Sequence, residues 1–539
     1  MPAEKIFLRN ATNLRGNISV IPTSVSQVQK AHAKRLVLLG TKPAMLHQRF
    51  LDTVPQSMSQ HKETILHVIQ QTTSKKASTI HLPIQKAEVV EFAKVTIGII
   101  PEECSRYNCP TRPDIITTLV KGLDLKEGDK DEKTTDAAEE AVDMFFATRV
   151  EKNPAETTYR SIVNGVAKAF SQFTTKKRSI EGSFVHDSAV VKINLNIINC
   201  DDEKHEISLA LARKLEILAE SCQLCMFLVD APPNILTTTM FATVASELAK
   251  VYDYKVHTNI VGEDLCDAKL TGVYNVGKAA TCPPIFMVLQ HNTQKNHESN
   301  DPSIVLVGKG ITYDCGGLAL KPAASMVNMK CDMAGAALVF STFLSLVRTK
   351  TPKNVYAVLC LAENAIGKSA YRNDDIIPLH SGLNVEVNNT DAEGRIVLAD
   401  GLSFASQNLN PKHIFTLATL TGAQSYATGL KHAGVYANTQ LLEDSCVAEG
   451  RQSGDLVFPL IYCPEFLDEE FSSEVADMKN SVKNRNNASS SAAGRFLERS
   501  LDKKYEGGFA HLDIASPAFQ KDRATGYGIN LLNGLVEKL

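Results

Sequence analysis

Between residues 309 and 395, seven charged side chains stand among glycines at the ends of apolar runs. They are Lys309 in VGKG, Asp314 in ITYDCGG, Lys321, Asp332 in KCDMAGA, and Asp391, Glu393 and Arg395 in NTDAEGR. Four acids and three bases that follow apolar strands are hard to desolvate unless they pair or bind metal, so a shared cluster is expected. Oxygen-rich ligands favour hard or borderline divalent cations, and carboxylates able to bridge suit two cations about 3.5 to 4 Å apart. Plainer roles stay open for each residue. Thr390-x-x-Glu393 has capping-box spacing ahead of the apolar-periodic segment that starts at Arg395. Asp332 precedes the long apolar helix MAGAALVFSTFLSLVR and could cap it, and Asp314 could bond its own turn. The glycines around Lys309 lack the GxxxxGK[ST] order of a phosphate-binding loop.

These residues need a scaffold, and the chain alternates strands and helices throughout. RLVLLG, AEVVEFAKVTIGII and AVDMFFATRV mark an N-terminal α/β region. VKINLNIINC reads as a strand, HEISLALARKLEILAESC as a helix, and MFLVD at 226 to 230 as a strand. Further strands are expected at PPIFMVLQH, SIVLVGKG, YAVLCLAEN, HIFTLATLTG and FAHLDIA. Their apolar residues are consecutive rather than alternate, which suits a mostly parallel or mixed sheet covered by helices on both faces. In such sheets ligands bind beyond the carboxyl ends of the strands. The domain boundary is expected between about 185 and 210: an N-terminal α/β domain over 1–195 and a larger catalytic α/β domain over 196–539. Lys121 to Asp143, with nine acids and four bases, reads as a solvated insertion.

Composition narrows the function classes. With 539 residues, 44 % apolar and 22 % charged, the chain can bury a large core. Its net charge of -3 gives no overall pull toward nucleic acid or an anionic membrane, and the run Lys176, Lys177, Arg178 is a short local exception. Apolar runs such as Ile304–Val307 and Val355–Leu361 are far shorter than the roughly 18 residues of a membrane span. Twelve cysteines are too sparse for a disulfide scaffold and fit thiols kept reduced in a cell. A cytoplasmic protein is expected. Eight bases against one acid in the first 50 residues leave a mitochondrial or other organellar transit segment open.

VGKGITYDCGG followed by LALK, the KCDMAGAA helix start and NTDAEGRIVLADGL resemble the signature blocks of the leucyl aminopeptidase family, the hexameric two-metal metallo-aminopeptidases. The likeness runs from roughly residue 205 to the end and includes VDAPPNILTTTMFA, ENAIG, TLTGA, EVADMKN and AHLDIA. The N-terminal third resembles the family only in size and general pattern. The resemblance implies that Lys309, Asp314, Asp332, Asp391 and Glu393 bind two divalent ions, with Asp314 and Glu393 bridging them. Zinc is expected, with manganese, magnesium or cobalt at the exchangeable position. Lys309 can ligate only as a neutral amine, so adjacent cations would have to lower its pKa strongly.

By the same resemblance Lys321 steadies the oxyanion and Arg395 holds a bicarbonate that relays a proton, while hydroxide bridging the metals attacks the peptide. Plain alternatives are an exposed loop lysine and a salt bridge from Arg395 to Glu393. Met329, Thr419 and Gly422 match the pocket for the first side chain, implying release of leucine or other apolar residues from short peptides with a free N-terminus. A homohexamer is implied too. Cys315 and Cys331 stand where the family more often has serine or another residue, Ala334 replaces a family glycine, and NNASSSAAGRFL departs from the family pattern. Cys222-x-x-Cys225, without a second pair, reads as packing in an apolar strand, and His511 and Asp513 as structural neighbours of the site. Two competing functions are a related two-metal dipeptidase and a non-catalytic assembly or nucleic-acid-binding protein that keeps the fold. The first does not explain Lys309 joined to NTDAEGR, and the second has no lost residue to support it.

Overall fold

The structure, a computed structural model, describes residues 3–12, 17–22, 35–86, 89–123, 141–149, 155–171, 173–174, 192–201, 207–291 and 302–539. The core of the charged insertion, the basic run Lys176–Arg178 and the polar loop before residue 302 lie outside them.

Strands β1 (Ile18–Val20), β2 (Arg35–Gly40), β3 (Ala77–Lys86), β4 (Val89–Ile99), β5 (Val142–Thr148) and β6 (Ile193–Asn199) form one sheet, in the order β1-β6-β5-β2-β4-β3. All its neighbours are parallel except β3 against β4. β6 crosses residue 195, so this sheet is complete only at Asn199. The chain continues through β7 (Lys255–Val261), β8 (Ile285–His291), β9 (Ser303–Asp314), β10 (Val355–Asn364), β11 (Ile376–Pro378), β12 (Asn384–Glu386), β13 (Pro411–Ala418), β14 (Ala433–Ala437), β15 (Val457–Pro459), β16 (Met478–Lys479) and β17 (Gly508–Asp513). Eight of these make a mixed sheet in the order β15-β14-β17-β13-β9-β10-β8-β7, parallel across β17, β13, β9 and β10. Apart from MFLVD, the strands read from consecutive apolar residues are present, and the α/β architecture with two helix-covered sheets is the one expected.

Central strand β9 shows why its apolar residues are consecutive. Ile304 and Leu306 pack in one core with Ala336 and Val339, whereas Val305 and Val307 pack in another with Ile396 and Val397. One helix, Ala334–Arg348, therefore covers one face and a second, Glu393–Asn408, the other. Both lie unusually close. A methyl on Gly308 would meet the Cα of Ala336 at 2.6 Å, and one on Gly335 would meet the Leu417 carbonyl oxygen at 2.0 Å. By contrast Ala334, buried at the helix start, is accommodated. The stretch Met329–Arg348 is long and apolar enough to cross a membrane by composition, but 89 % of that window is buried inside the protein.

One expected strand is wrong. MFLVD is the end of a 22-residue helix, Leu209–Asp230, which starts where Ser208 caps the amide of Leu211. Residues 221 to 230 are all buried between other elements, among them the helices Ala155–Ala167 and Ala334–Arg348. A helix buried all round loses its polar stripe and looks like a buried strand in sequence. Cys222 and Cys225 are buried on this helix rather than on a strand, with their thiol pKa values pushed up by burial.

Gly335→Ala should lower stability by roughly 1–3 kcal/mol, since a backbone oxygen occupies the place of the added methyl. A denaturant unfolding midpoint equal to the parent's would contradict this packing.

Candidate metal centre

β9 supplies both Lys309 and, at its carboxyl end, Asp314. A short 3-10 helix, Met329–Met333, presents Asp332, the turn before the helix Glu393–Asn408 presents Asp391, and the first residue of that helix is Glu393. The ammonium of Lys309 lies 2.9 Å from Asp332 Oδ1 and 2.9 Å from Glu393 Oε1, and donates to the Thr419 carbonyl at 3.0 Å. Gly394 makes this approach possible, because a methyl there would sit 2.6 Å from Lys309 Nζ. Carboxylate oxygens of Asp314, Asp332 and Glu393 lie within 4.8 Å of one another, and all three residues are buried. Lys321 forms an outer bridge, 2.9 Å from Asp314 Oδ2 and 2.5 Å from Asp391 Oδ1. That pair is more open, with 16 % and 31 % of the two side chains exposed.

The plain alternatives can now be judged. Thr390 does not form the capping box: its hydroxyl donates to the Gly316 carbonyl and accepts from the Ala319 amide. Nor does Asp332 cap the helix, since its Oδ1 accepts from Thr419 Oγ1 at 2.7 Å. Asp314 keeps the turn role in part, because Gly316 N donates to its Oδ1 at 2.8 Å. Arg395 makes no ion pair with Glu393. Its guanidinium carbon lies 6.0 and 5.9 Å from the ring centres of Phe471 and Phe496, and its Nε and Nη1 are buried without a hydrogen-bond partner. Burial lowers its pKa to about 10, and the ion remains charged at neutral pH.

Burial raises the pKa values of Asp314, Asp332 and Asp391, and the neighbouring carboxylates add to this. For Lys309, burial alone would lower the pKa, but Asp332, Glu393 and Asp314 outweigh it and hold the ammonium charged. The lowering expected for a lysine ligand is thus not produced by protein groups; it requires cations. Four carboxylates against two ammonium groups leave the cluster anionic, and Asp332 Oδ2 and Glu393 Oε2 are buried with no hydrogen-bond partner. Orphaned carboxylate oxygens beside a buried amine fit cation ligation.

A model of the catalytic domain of the cytosol aminopeptidase family matches residues 223–533, and one of an N-terminal domain of M17 aminopeptidases matches residues 34–179. The chain belongs to the cytosol aminopeptidase family. Its likeness extends through the N-terminal third, where the sequence shows only a general pattern. The human protein named Probable aminopeptidase NPEPL1 is 39 % identical over 443 residues, covering 82 % of this chain and 79 % of its own. Leucine aminopeptidase 1 of Caenorhabditis elegans is 33 % identical over 505 residues, 93 % of this chain and 94 % of that one. The apo structure of leucyl aminopeptidase from Trypanosoma cruzi matches with a TM-score of 0.88 at 37 % identity and covers 100 % of both chains. That of the Trypanosoma brucei enzyme in complex with bestatin matches at 0.86 and 36 % identity, over 100 % of this chain and 98 % of that one. With its carboxylate cluster, this member of the cytosol aminopeptidase family is a metal-dependent aminopeptidase.

Sequence reasoning missed Asn364. It stands opposite Asp314 in the β9–β10 register, fully buried, and donates through Nδ2 to Asp314 Oδ1 at 2.8 Å and to the Thr390 carbonyl at 3.0 Å. Tyr371 donates to the same carbonyl at 2.6 Å. The signals for Asn364 were a polar residue closing the apolar strand YAVLCLAEN and its place in the family-like block ENAIG. His511 and Asp513 lie outside the carboxylate group. His511 bonds Thr416 Oγ1 and stays neutral, its pKa pushed down to about 3 by burial and Arg395, while Asp513 accepts from Leu420 and Thr421.

Asn364→Leu removes both donations while keeping the branching and heavy-atom count of the side chain. Affinity for zinc, measured by chelator competition, should fall about ten- to a hundredfold. Unchanged affinity would remove Asn364 from the site.

Proposed function

We propose that this protein releases N-terminal amino acids, leucine and other apolar residues foremost, from short peptides with a free α-amine. The supporting observation is Lys309 Nζ at 2.9 Å from both Asp332 and Glu393, inside a buried group of carboxylates with orphaned oxygens. Lys309, Asp314, Asp332, Asp391 and Glu393 would hold two divalent cations, Asp314 and Glu393 being shared, with zinc in one position and zinc, manganese, magnesium or cobalt in the other. When bound, such a pair polarises the scissile carbonyl and makes a water nucleophilic at neutral pH.

The remaining side chains then have distinct tasks. Lys321, at the more exposed edge between Asp314 and Asp391, places a positive charge where the carbonyl oxygen becomes negative. Arg395, with two unpartnered N–H groups, suits a planar bicarbonate, which it would grip by paired hydrogen bonds beside the cluster. Met329, Thr419 and Gly422 would border the pocket for the first side chain. Met329 is half-buried, and a methyl on Gly422 would meet nothing within 4 Å. Thr419 ties that wall to the cluster, since its hydroxyl and carbonyl serve Asp332 and Lys309. The division into an N-terminal and a catalytic domain falls near residue 200, supported by completion of the first sheet at Asn199 and by the ranges of the two family models. Family membership also supports a cytoplasmic location and assembly as a homohexamer, in which active sites facing an inner space would admit short peptides only.

A leucine-first peptide with a free amine should lose its first residue, its N-acetylated form should stay intact, and a chelator should abolish the reaction. Peptide binding without turnover in the zinc-loaded protein would favour the non-catalytic alternative. Lys309→Arg retains the charge but offers no lone pair. It should lower the bound metal from two ions to one and the rate about a hundredfold or more, and full metal content with full activity would refute the ligand role.

A further inference from the structure

A second opening lies away from the metal centre. A cavity of about 540 Å³ lies where the first sheet meets the catalytic part, and it shares no residue with the carboxylate cluster. The sheet order explains its place. From β2 the chain passes to β4 on one side and then crosses to β5 and β6 on the other. β2 and β5 are therefore parallel neighbours whose connections leave in opposite directions, which opens a crevice beyond their carboxyl ends. Residues just past those ends line the cavity: Thr41 after β2, Thr148 and Arg149 at the end of β5, and Glu102 after β4.

The lining has a definite chemistry. Three arginines, Arg106, Arg149 and Arg451, face a single lining acid, Glu102. Arg149 already pairs with Asp201 at 2.9 Å. Arg106 stacks on Tyr107 at 4.9 Å, and among the described residues neither it nor Arg451 makes an ion pair. Hydroxyls of Thr41, Ser105, Thr148 and Thr158 complete the wall. Arg451 belongs to the helix Gln440–Ser453 of the catalytic part, so both halves of the chain supply cationic forks. Guanidinium forks grip phosphate oxygens in pairs, threonine and serine hydroxyls add donors, and a lone carboxylate suits sugar hydroxyls. The volume falls in the range of small-molecule pockets, well beyond a bare ion.

We propose that this interdomain cavity binds a phosphorylated small molecule of about nucleotide size, its phosphate held by Arg106 and Arg451. A ligand gripped by both arginines links the two halves of the chain and stabilises the folded protein in proportion to its occupancy.

Calorimetric titration of the metal-loaded full-length protein with inorganic phosphate, ribose 5-phosphate, AMP and ADP, with glutamate as a carboxylate control, tests this. Saturable binding of ribose 5-phosphate or AMP is expected, with weaker binding of inorganic phosphate and none of glutamate. The double variant Arg106→Ala/Arg451→Ala, altered at two exposed side chains, should bind at least about tenfold more weakly and should hydrolyse a leucine-first peptide at the parent rate. Three results would each overturn the proposal: no binding of any phosphate ester at millimolar concentration, preference for glutamate, or undiminished binding by the double variant, which would place the ester at the metal centre.

Discussion

The structure turns on the burial of one amine. Lys309 is 3 % exposed, and a charged group that deep is tolerated only with close partners of opposite sign. Asp332 and Glu393 provide them from opposite sides of the central strand, at equal distances. The arrangement is overcompensated: the two acids and nearby Asp314 repel one another, and burial raises the pKa of Asp314 and Asp332. A site with surplus buried negative charge and a potential amine donor is ready for cations. Cations bound there would reverse the balance and relieve Lys309 of its role as counter-charge.

Bringing these groups together constrains the backbone more than the side chains. Lys309 can reach both acids only because helices lie against both faces of β9 with almost no clearance. The glycines at 308, 335 and 394 mark the points of contact, with helix backbone, a strand carbonyl and the lysine itself in the way of any added methyl. The charged site and the tight packing thus have one cause. Around the cluster, amide and hydroxyl groups from Asn364, Tyr371, Thr390 and Thr419 hold the carboxylate-bearing turns in place. This leaves carboxylate oxygens aimed inward and unpaired.

The parts of the fold that were legible are those with a strong local pattern. Consecutive apolar residues identified β9, β10 and β13, because strands covered on both faces have no polar side. The same pattern misled at 226 to 230, where a helix enclosed by other elements also has no polar side. At the site, charge was legible and hydrogen bonding was not. Seven charged residues among glycines stood out, yet Asn364 did not, since a polar residue at a strand end does not reveal its partner until the neighbouring strand is known. Capping-box spacing at Thr390 and Glu393 was present without the capping box, because Gly316 and Lys309 compete for those side chains.

Sequence alone determined the inventory: which residues carry charge, that they follow apolar strands, and that their motifs in order resemble those of a family of metal-dependent aminopeptidases. These features are local and survive being read in one dimension. Only the tertiary structure decided that Lys309 faces Asp332 and Glu393 at once, that Arg395 keeps unpartnered N–H groups, and that a second, arginine-lined cavity opens between the halves of the chain. Each of these depends on which distant segments share a face of the sheet, and that follows from strand order and helix packing rather than from neighbours along the chain.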